Sequence, residues 1–234
     1  AGVVGKLPKV LVVVHMAGQP CEMSRISELS KIYGFKVIED ASHAVGAKYQ
    51  SEYIGKCQYS EIVVFSFHPV KIITTGEGGM ALTNDKMLAE RLRAARSHGI
   101  TRDLADNIIH EKGGWYYEQQ TLGFNYRMSD LHASLGLSQL NRLDDYVKKR
   151  NDLAKNYDES LKDLPLILPT VNKNCISSYH LYIIQFETEF AAEIRKFVYD
   201  QLHKDGIGVN VHYIPVYLHP YFRKMGFAPG LCKN

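Results

Sequence analysis

The run Val10-Leu11-Val12-Val13-Val14 constrains this chain more than any other feature. Five consecutive apolar residues, four of them β-branched, are too few to specify a helix. They read as a strand buried on both faces, the kind found inside parallel sheets. The residues after the run set the topology. Past Pro20, the residues Met23, Ile26, Leu29, Ile32 and Tyr33 recur at helical spacing, and Gly34 stands where a C-cap is needed. Phe35-Lys36-Val37-Ile38 is then a second buried strand, ending at Glu39-Asp40. Strand, helix and strand in this order predict a parallel crossover. Residues 62–66 predict a third strand and residues 79–83 a fourth, after a Gly-rich turn. Asn84-Asp85 caps a helix carrying Leu88, Leu92 and Ala95. The first half of the chain is therefore expected to be an open α/β sheet.

Residues 100–124, with Gly113-Gly114-Trp115-Tyr116-Tyr117, have weak periodicity and read as a long loop, a class that is usually functional or contacts a partner. Ser129 caps a helix with Leu131, Leu135 and Leu140. A longer helix is expected from about Leu143 to Leu164, with Asp144/Lys148 and Asp145/Lys149 as i,i+4 pairs on its wet face and Pro165 ending it. Beyond it, residues 180–186 predict a strand. Phe190, Ile194, Phe197, Val198 and Leu202 predict an amphipathic helix closed by Gly206, and Val209, Val211 and Tyr213 alternate as a half-buried strand. This change of character divides the chain into a larger domain, 1–144, and a smaller α+β domain, 145–234.

Composition excludes several function classes. Lys+Arg is 28 against 25 for Asp+Glu, an excess of +3 that is too small and too scattered for phosphate-backbone binding, so no nucleic-acid partner is expected. No apolar run approaches the roughly 18 residues of a membrane helix. Cys21, Cys57, Cys175 and Cys232 are far apart and form no CxxC pair. Neither a metal site nor a disulfide framework is expected, and a reducing, cytoplasmic compartment fits. Gly76-Glu77-Gly78-Gly79 lacks the GK[ST] of a P-loop and the third glycine of a dinucleotide fingerprint. There is no HExxH and no GxSxG elbow.

What remains is a set of polar residues at the C-terminal ends of expected parallel strands, the edge where open α/β sheets bind ligands. Asp40 ends one strand and Ser66 another. Lys71 lies five residues past Ser66, in a loop that Pro69 forces out of the strand. An acid, a hydroxyl and a lysine at one edge suit a phosphorylated aromatic cofactor of the pyridoxal phosphate kind. A carboxylate facing a ring nitrogen keeps it protonated, and a lysine that spends time as neutral amine can attack a carbonyl and later move a proton. Taken singly, Asp40 also reads as a helix cap or loop acid, Ser66 as a strand-end serine and Lys71 as a solvated lysine. Order and spacing leave the two readings balanced.

Longer motifs carry a resemblance. Glu39-Asp40-Ala41-Ser42-His43-Ala44, Phe65-Ser66-Phe67-His68-Pro69-Val70-Lys71 and Thr75-Gly76-Glu77-Gly78-Gly79 resemble the DegT/DnrJ/EryC1/StrS nucleotide-sugar aminotransferases. So do Arg96-Ser97-His98-Gly99, Gly123-Phe124-Asn125-Tyr126-Arg127-Met128 and Gln139-Leu140. Residues 206–215 and His219-Pro220-Tyr221 are most similar to members that aminate C4 of a sugar on the route to pseudaminic acid. The resemblance implies a fold type I architecture, with a mostly parallel open sheet in the large domain and a smaller α+β domain. It implies pyridoxal 5'-phosphate as cofactor, a 4-keto-6-deoxy (UDP-linked) sugar as acceptor and L-glutamate as amino donor. By the same resemblance Lys71 is the Schiff-base lysine, Asp40 faces the pyridine nitrogen, His43 lies near the ring or its hydroxyl, and Ser66 binds the phosphate. Asn125 reaches the phosphate in the neighbouring subunit, which implies a homodimer with shared sites. Arg127 is implied for a substrate or donor carboxylate, and His180, His212 and Tyr213 for the substrate. Lys71, where related dehydratases carry histidine, implies amino transfer. Family members begin upstream of Val10 with a segment that also holds the phosphate, and continue past Asn234. The resemblance therefore implies that this chain is part of a longer protein, and a non-catalytic, dimer-forming fragment is the alternative expectation.

Overall fold

The computed structural model describes residues 7–102, 113–187 and 191–227. The apolar run forms strand β1 (Val10–Val14), followed by helix α1 (Met23–Tyr33) and strand β2 (Lys36–Asp40). Gly34 ends α1 in the left-handed conformation, its N–H bonding the Ser30 carbonyl at 2.8 Å, as the C-cap pattern predicts. β1 and β2 pair in parallel, from Val10 opposite Lys36 to Val14 opposite Asp40. A hairpin of β3 (Lys48–Tyr49) and β4 (Glu52–Tyr53) precedes β5 (Ile62–Ser66) and β6 (Gly79–Leu82). The sheet order is β1-β2-β5-β6, with β2 and β5 parallel and β6 antiparallel to β5. This is the α/β, mostly parallel sheet expected from the strand–helix–strand pattern.

Helix α2 (Lys86–Arg96) starts at Asp85, whose carboxylate accepts from the Leu88 amide at 3.0 Å. Short strands β7 (Ile100–Thr101) and β8 (Glu118–Gln119) pair antiparallel, so the expected loop carries a two-rung ladder; residues 103–112 of it lie outside the described residues. Helix α3 (Asp130–Leu140) is capped by the Ser129 hydroxyl, and α4 (Leu143–Leu161) comes almost at once. On α4, Lys148 pairs with Asp152 at 2.9 Å rather than with Asp144, which instead accepts the Tyr53 hydroxyl at 2.9 Å.

The chain divides into two compact units, 1–164 with 168–184, and 165–167 with 185–234. In the second unit, β9 (Leu166–Ile167) pairs antiparallel with β11 (Gln185–Phe186), ahead of α5 (Ala191–Lys204) and the short α6 (Pro220–Lys224). In the first unit, β10 (Cys175–Ile176) pairs with β3. Phe190 and Cys232 lie outside the described residues. Among the described residues no helix is long and apolar enough to cross a membrane.

Three sequence expectations are corrected. β1 is not buried on both faces. Among the described residues it is an edge strand, with Val10, Val12 and Val14 at 47%, 56% and 46% exposure, because only the face carrying Leu11 and Val13 meets the core. The strand expected over 180–186 shrinks to Gln185–Phe186, because the backbone before it is committed elsewhere. The Ser178 amide bonds Gly18 O at 3.1 Å and the Leu181 amide bonds Ala17 O at 3.3 Å. Residues 209–213 alternate in sequence but enter no ladder among the described residues. Alternation specifies which side chains would share a face, whereas a strand also needs a partner edge.

The core of the first unit is built from alternate residues of the central strands, Val37 of β2 with Val63 and Phe65 of β5, closed by Met23 of α1. α4 reaches this core through the loop after β2. Gly46 has φ +80°, and a Cβ there would lie 2.7 Å from Val147 Cγ2, so helix and loop touch where only glycine fits. The alternation of β2 also turns Glu39 inward, where its carboxylate is buried. Oε2 receives His15 Nε2 at 2.8 Å and Oε1 the Ser60 hydroxyl at 2.5 Å. Burial opposes a charge on His15, but Cys21 and Glu39 outweigh it and raise its pKa to about 9. Nδ1 lies 3.1 Å from the Cys21 amide nitrogen, and Nε2 faces Glu39.

Glu39→Ala is expected to cost about 3–5 kcal/mol of stability, because it strands the buried His15 N–H and the partly buried Ser60 hydroxyl. Glu39→Gln is expected to cost only about 1–3 kcal/mol, since the Ser60 hydroxyl can reverse and accept from the new amide. Urea unfolding of the two variants measures the difference; equal losses would show that the buried acceptor pair does not hold β1 to β2.

Candidate active site

Parallel pairing of β2 with β5 brings their C-terminal ends to one sheet edge. Asp40 lies opposite Val64, and Ser66 closes β5 two residues further on. The chain then forms a loop pinned at its base. The Phe67 amide bonds Gly78 O at 2.9 Å, and Phe67 O accepts both the Thr75 amide at 3.0 Å and the Thr74 hydroxyl at 2.8 Å. Phe67, Ile72, Ile73 and Thr75 are buried, while His68, Pro69 and Val70 are exposed. A turn at this tip, Lys71 N–H to His68 O at 2.9 Å, sets Lys71 on the inward-returning limb. Burial lowers the Lys71 pKa below that of an ordinary lysine, and the Asp40 carboxylate partly offsets this. The acid thus lies close enough to the amine to act on it electrostatically.

Gln139 of α3 adds a brace to which sequence reasoning gives no role, although the residue sits in a motif. Its Oε1 accepts the Thr74 amide at 2.9 Å, tying the Lys71 loop to the helix. The Gln139-Leu140 pair is the signal; its partner, 65 residues earlier, is not legible in the sequence.

The loop after Asp40 brings in His43. Asp40 Oδ1 accepts the Ser42 amide at 3.0 Å, an Asx-type turn that orients the carboxylate. His43 Nδ1 accepts the Ala17 amide at 3.3 Å, and its ring lies 4.5 Å from that of His180, centre to centre. The structure therefore brings together His43 and His180, which are far apart in the sequence.

Other expected site residues stand apart. Asn125 and Arg127 are exposed on a segment that runs along the end of α2, with an isolated bridge between Asn125 and Ser97 and the Tyr126 amide bonded to Arg96 O at 2.9 Å. Among the described residues no hydrogen bond or ion pair joins them to Asp40 or Lys71. His212 and Tyr213 belong to the second unit, where their rings meet edge to face at 4.2 Å. A groove of about 650 Å³, lined by residues that include Gln19, Cys21, Glu22 and Asn172, contains neither Asp40 nor Lys71.

Comparison with known proteins gives this geometry its family. The model of the DegT/DnrJ/EryC1/StrS aminotransferase family matches residues 2–234. A UDP-4-amino-4,6-dideoxy-N-acetyl-beta-L-altrosamine transaminase of Campylobacter jejuni is 40% identical over 214 residues, covering 91% of this chain and 54% of that protein. The spore coat polysaccharide biosynthesis protein SpsC of Bacillus subtilis is 39% identical over 218 residues, covering 92% and 55%. Among solved structures, Helicobacter pylori PseC, an aminotransferase involved in pseudaminic acid biosynthesis, superposes with a TM-score of 0.83 at 34% identity, covering 93% of this chain and 56% of that one. The sugar aminotransferase Spr1654 of Streptococcus pneumoniae, in its PLP form, superposes at 0.81 with 28% identity, covering 94% and 58%. This chain spans little more than half the length of these relatives. Pyridoxal phosphate is the cofactor of the family. By the match over residues 2–234 and by the fold that carries Asp40 and Lys71 to one edge, the chain belongs to the DegT/DnrJ/EryC1/StrS aminotransferase family.

Proposed function

We propose that the protein to which this chain belongs transfers the amino group of L-glutamate to C4 of a UDP-linked 4-keto-6-deoxy sugar, in the making of a pseudaminic acid-like cell-surface or flagellin sugar. The observation that carries this reading is the placement of Asp40 at the end of β2, beside β5 and within electrostatic reach of Lys71 in the loop that follows β5, a lysine whose ammonium form is disfavoured by burial. The named activities of the Campylobacter and Helicobacter relatives support the choice of substrate.

The donor set fits pyridoxal phosphate: a carboxylate, a primary amine with depressed pKa and a strand-end hydroxyl share one sheet edge. When bound, the cofactor supplies an electron sink for the carbon that loses its proton. Asp40 faces the ring nitrogen and holds a proton on it. Lys71 supplies the amine that engages the cofactor and afterwards takes and returns the substrate proton. Ser66 binds the phosphate, and His43 flanks the ring. Arg127 has the planar fork suited to a glutamate carboxylate. His180 lies on the sugar side. The working unit in this reading is a cytoplasmic homodimer in which Asn125 reaches the partner's phosphate. Exposed Leu122, Phe124, Tyr126, Leu131 and Leu137 support a covered face on that side of the unit.

Borohydride treatment of the polypeptide its gene encodes, after addition of pyridoxal phosphate, is expected to fix one pyridoxyl group on Lys71, located by peptide mapping. Lys71→Ala should fix none, and a label spread over surface lysines would overturn the reading. A second expectation concerns pH. Because burial lowers the Lys71 pKa, acetylation of Lys71 in the absence of cofactor should reach half its maximal rate at a pH below that of surface lysines. Asp40 favours the ammonium, so Asp40→Asn should move that midpoint lower still. A midpoint equal to that of surface lysines would show that burial does not act on this amine.

A further inference from the structure

The segment Ser177–His180 is held with more contacts than a connecting loop requires. Tyr179 has φ +44°, a left-handed conformation that a tyrosine rarely adopts. Opposite it, Ala17 has φ +59° and Gly18 φ +97°; a Cβ on Gly18 would lie 2.5 Å from Ser178 Oγ and 2.9 Å from the Tyr179 amide. Strained backbone on two touching segments persists only where surrounding contacts over-determine it, and such strain gathers at functional sites. Here the contacts come from two directions. On one side the Ser178 amide bonds Gly18 O at 3.1 Å, and the Ser178 hydroxyl donates to His43 O at 3.0 Å. On the other, one face of α4 takes the segment in three places. Asn151 donates to Ser177 O at 2.9 Å, Asp158 accepts the Tyr182 hydroxyl at 2.6 Å, and Arg150 Nη1 donates to Tyr179 O at 3.0 Å and His180 O at 3.4 Å.

Arg150 is the only one of the three whose side chain reaches the His180 backbone itself. Its guanidinium is partly buried and so weakly solvated, which strengthens its bonds to the two carbonyls. The two carbonyls that accept from it belong to the peptide units before and after the His180 Cα, the units whose orientation sets where the His180 ring points. That ring lies 4.5 Å from His43, on the loop that starts at Asp40.

We propose that Arg150 is a positioning residue of the candidate active site: by holding the Tyr179 and His180 carbonyls it seats the His180 imidazole on His43, and through His43 it braces the cofactor edge. The proposal rests on the aminotransferase reading of Asp40 and Lys71. Without Arg150 two carbonyls lose a donor, Tyr179 can relax out of the left-handed region, and the His180 ring leaves His43.

The test uses the polypeptide its gene encodes, with isotope-labelled histidine. In the unaltered protein a nuclear Overhauser contact between the His43 and His180 rings is expected without cofactor. In Arg150→Ala this contact should vanish, and the rate of borohydride-trapped pyridoxyl labelling at Lys71 should fall about tenfold or more, the scale expected for a misplaced group near the chemistry. Guanidinium ion at concentrations far below denaturing should fill the vacated place and restore both. If Arg150→Ala does not fold, Arg150→Lys serves, since its ammonium reaches one carbonyl; an intermediate ring contact and labelling rate are then expected. A lower melting temperature with the ring contact and labelling rate unchanged would overturn the proposal. So would loss of both without recovery in guanidinium. Absence of Lys71 labelling in the unaltered protein would instead defeat the functional reading, and the ring contact, read without cofactor, would still decide whether Arg150 seats His180.

Discussion

The buried carboxylate of Glu39 is the interaction on which the candidate site depends. It sits on β2 one residue before Asp40, so the pleat turns Glu39 into the core and leaves Asp40 at the ligand-facing edge. Inside, Glu39 receives His15 from the end of β1 and Ser60 from the approach to β5. One carboxylate therefore ties together the ends of three chain segments directly beneath the acid proposed to meet the cofactor. A buried charge is tolerated only when hydrogen-bonded on both oxygens, and that requirement admits few positions for the neighbouring loops.

Above this layer, close backbone approach replaces side-chain filling. Gly18 lets the β1 loop touch Ser178 and Tyr179, and Gly46 lets the loop after Asp40 touch α4. Both contacts draw α4 and the segment after it toward the sheet edge. α4 thus does more than link two parts of the chain. Through Asn151, Arg150 and Asp158 it holds the strained stretch that carries His180. The loop bearing Lys71 is held in a similar way, by Gln139 of α3 and by the carbonyl of Phe67. Asp40 and Ser66 close strands, whereas Lys71, His43 and His180 sit on loops that helices outside the sheet fix in place.

The legible parts of the sequence are those governed by local rules. Gly34, Asp85 and Ser129 mark helix ends because an αL cap and a side-chain acceptor for an orphan amide need particular residues at particular places. Asp40, Ser66 and Lys71 stand out because parallel strands put their C-terminal ends at one edge. The parts that mislead depend on partners. Val10–Val14 has the composition of a central strand, yet in this chain nothing pairs with its outer edge among the described residues. Residues 180–184 look like a strand but give their amide at Leu181 to the β1 loop instead of a ladder. Gln139 stands in a motif and Arg150 in none, but neither shows its partner locally, since one meets Thr74 and the other meets carbonyls at 179 and 180.

By itself the sequence determined the element types, the strand–helix–strand order, and the acid, hydroxyl and lysine that parallel pairing gathers at one edge. These come from periodicity, capping chemistry and chain direction, all of which act over a few residues. Only the tertiary structure decided that β1 lies at an edge among the described residues, that Glu39 rather than Asp40 is the buried carboxylate with two donors, and that His43 and His180 meet. Those outcomes depend on which backbone groups and which burial sites are still available once distant segments pack, and no local pattern encodes that competition.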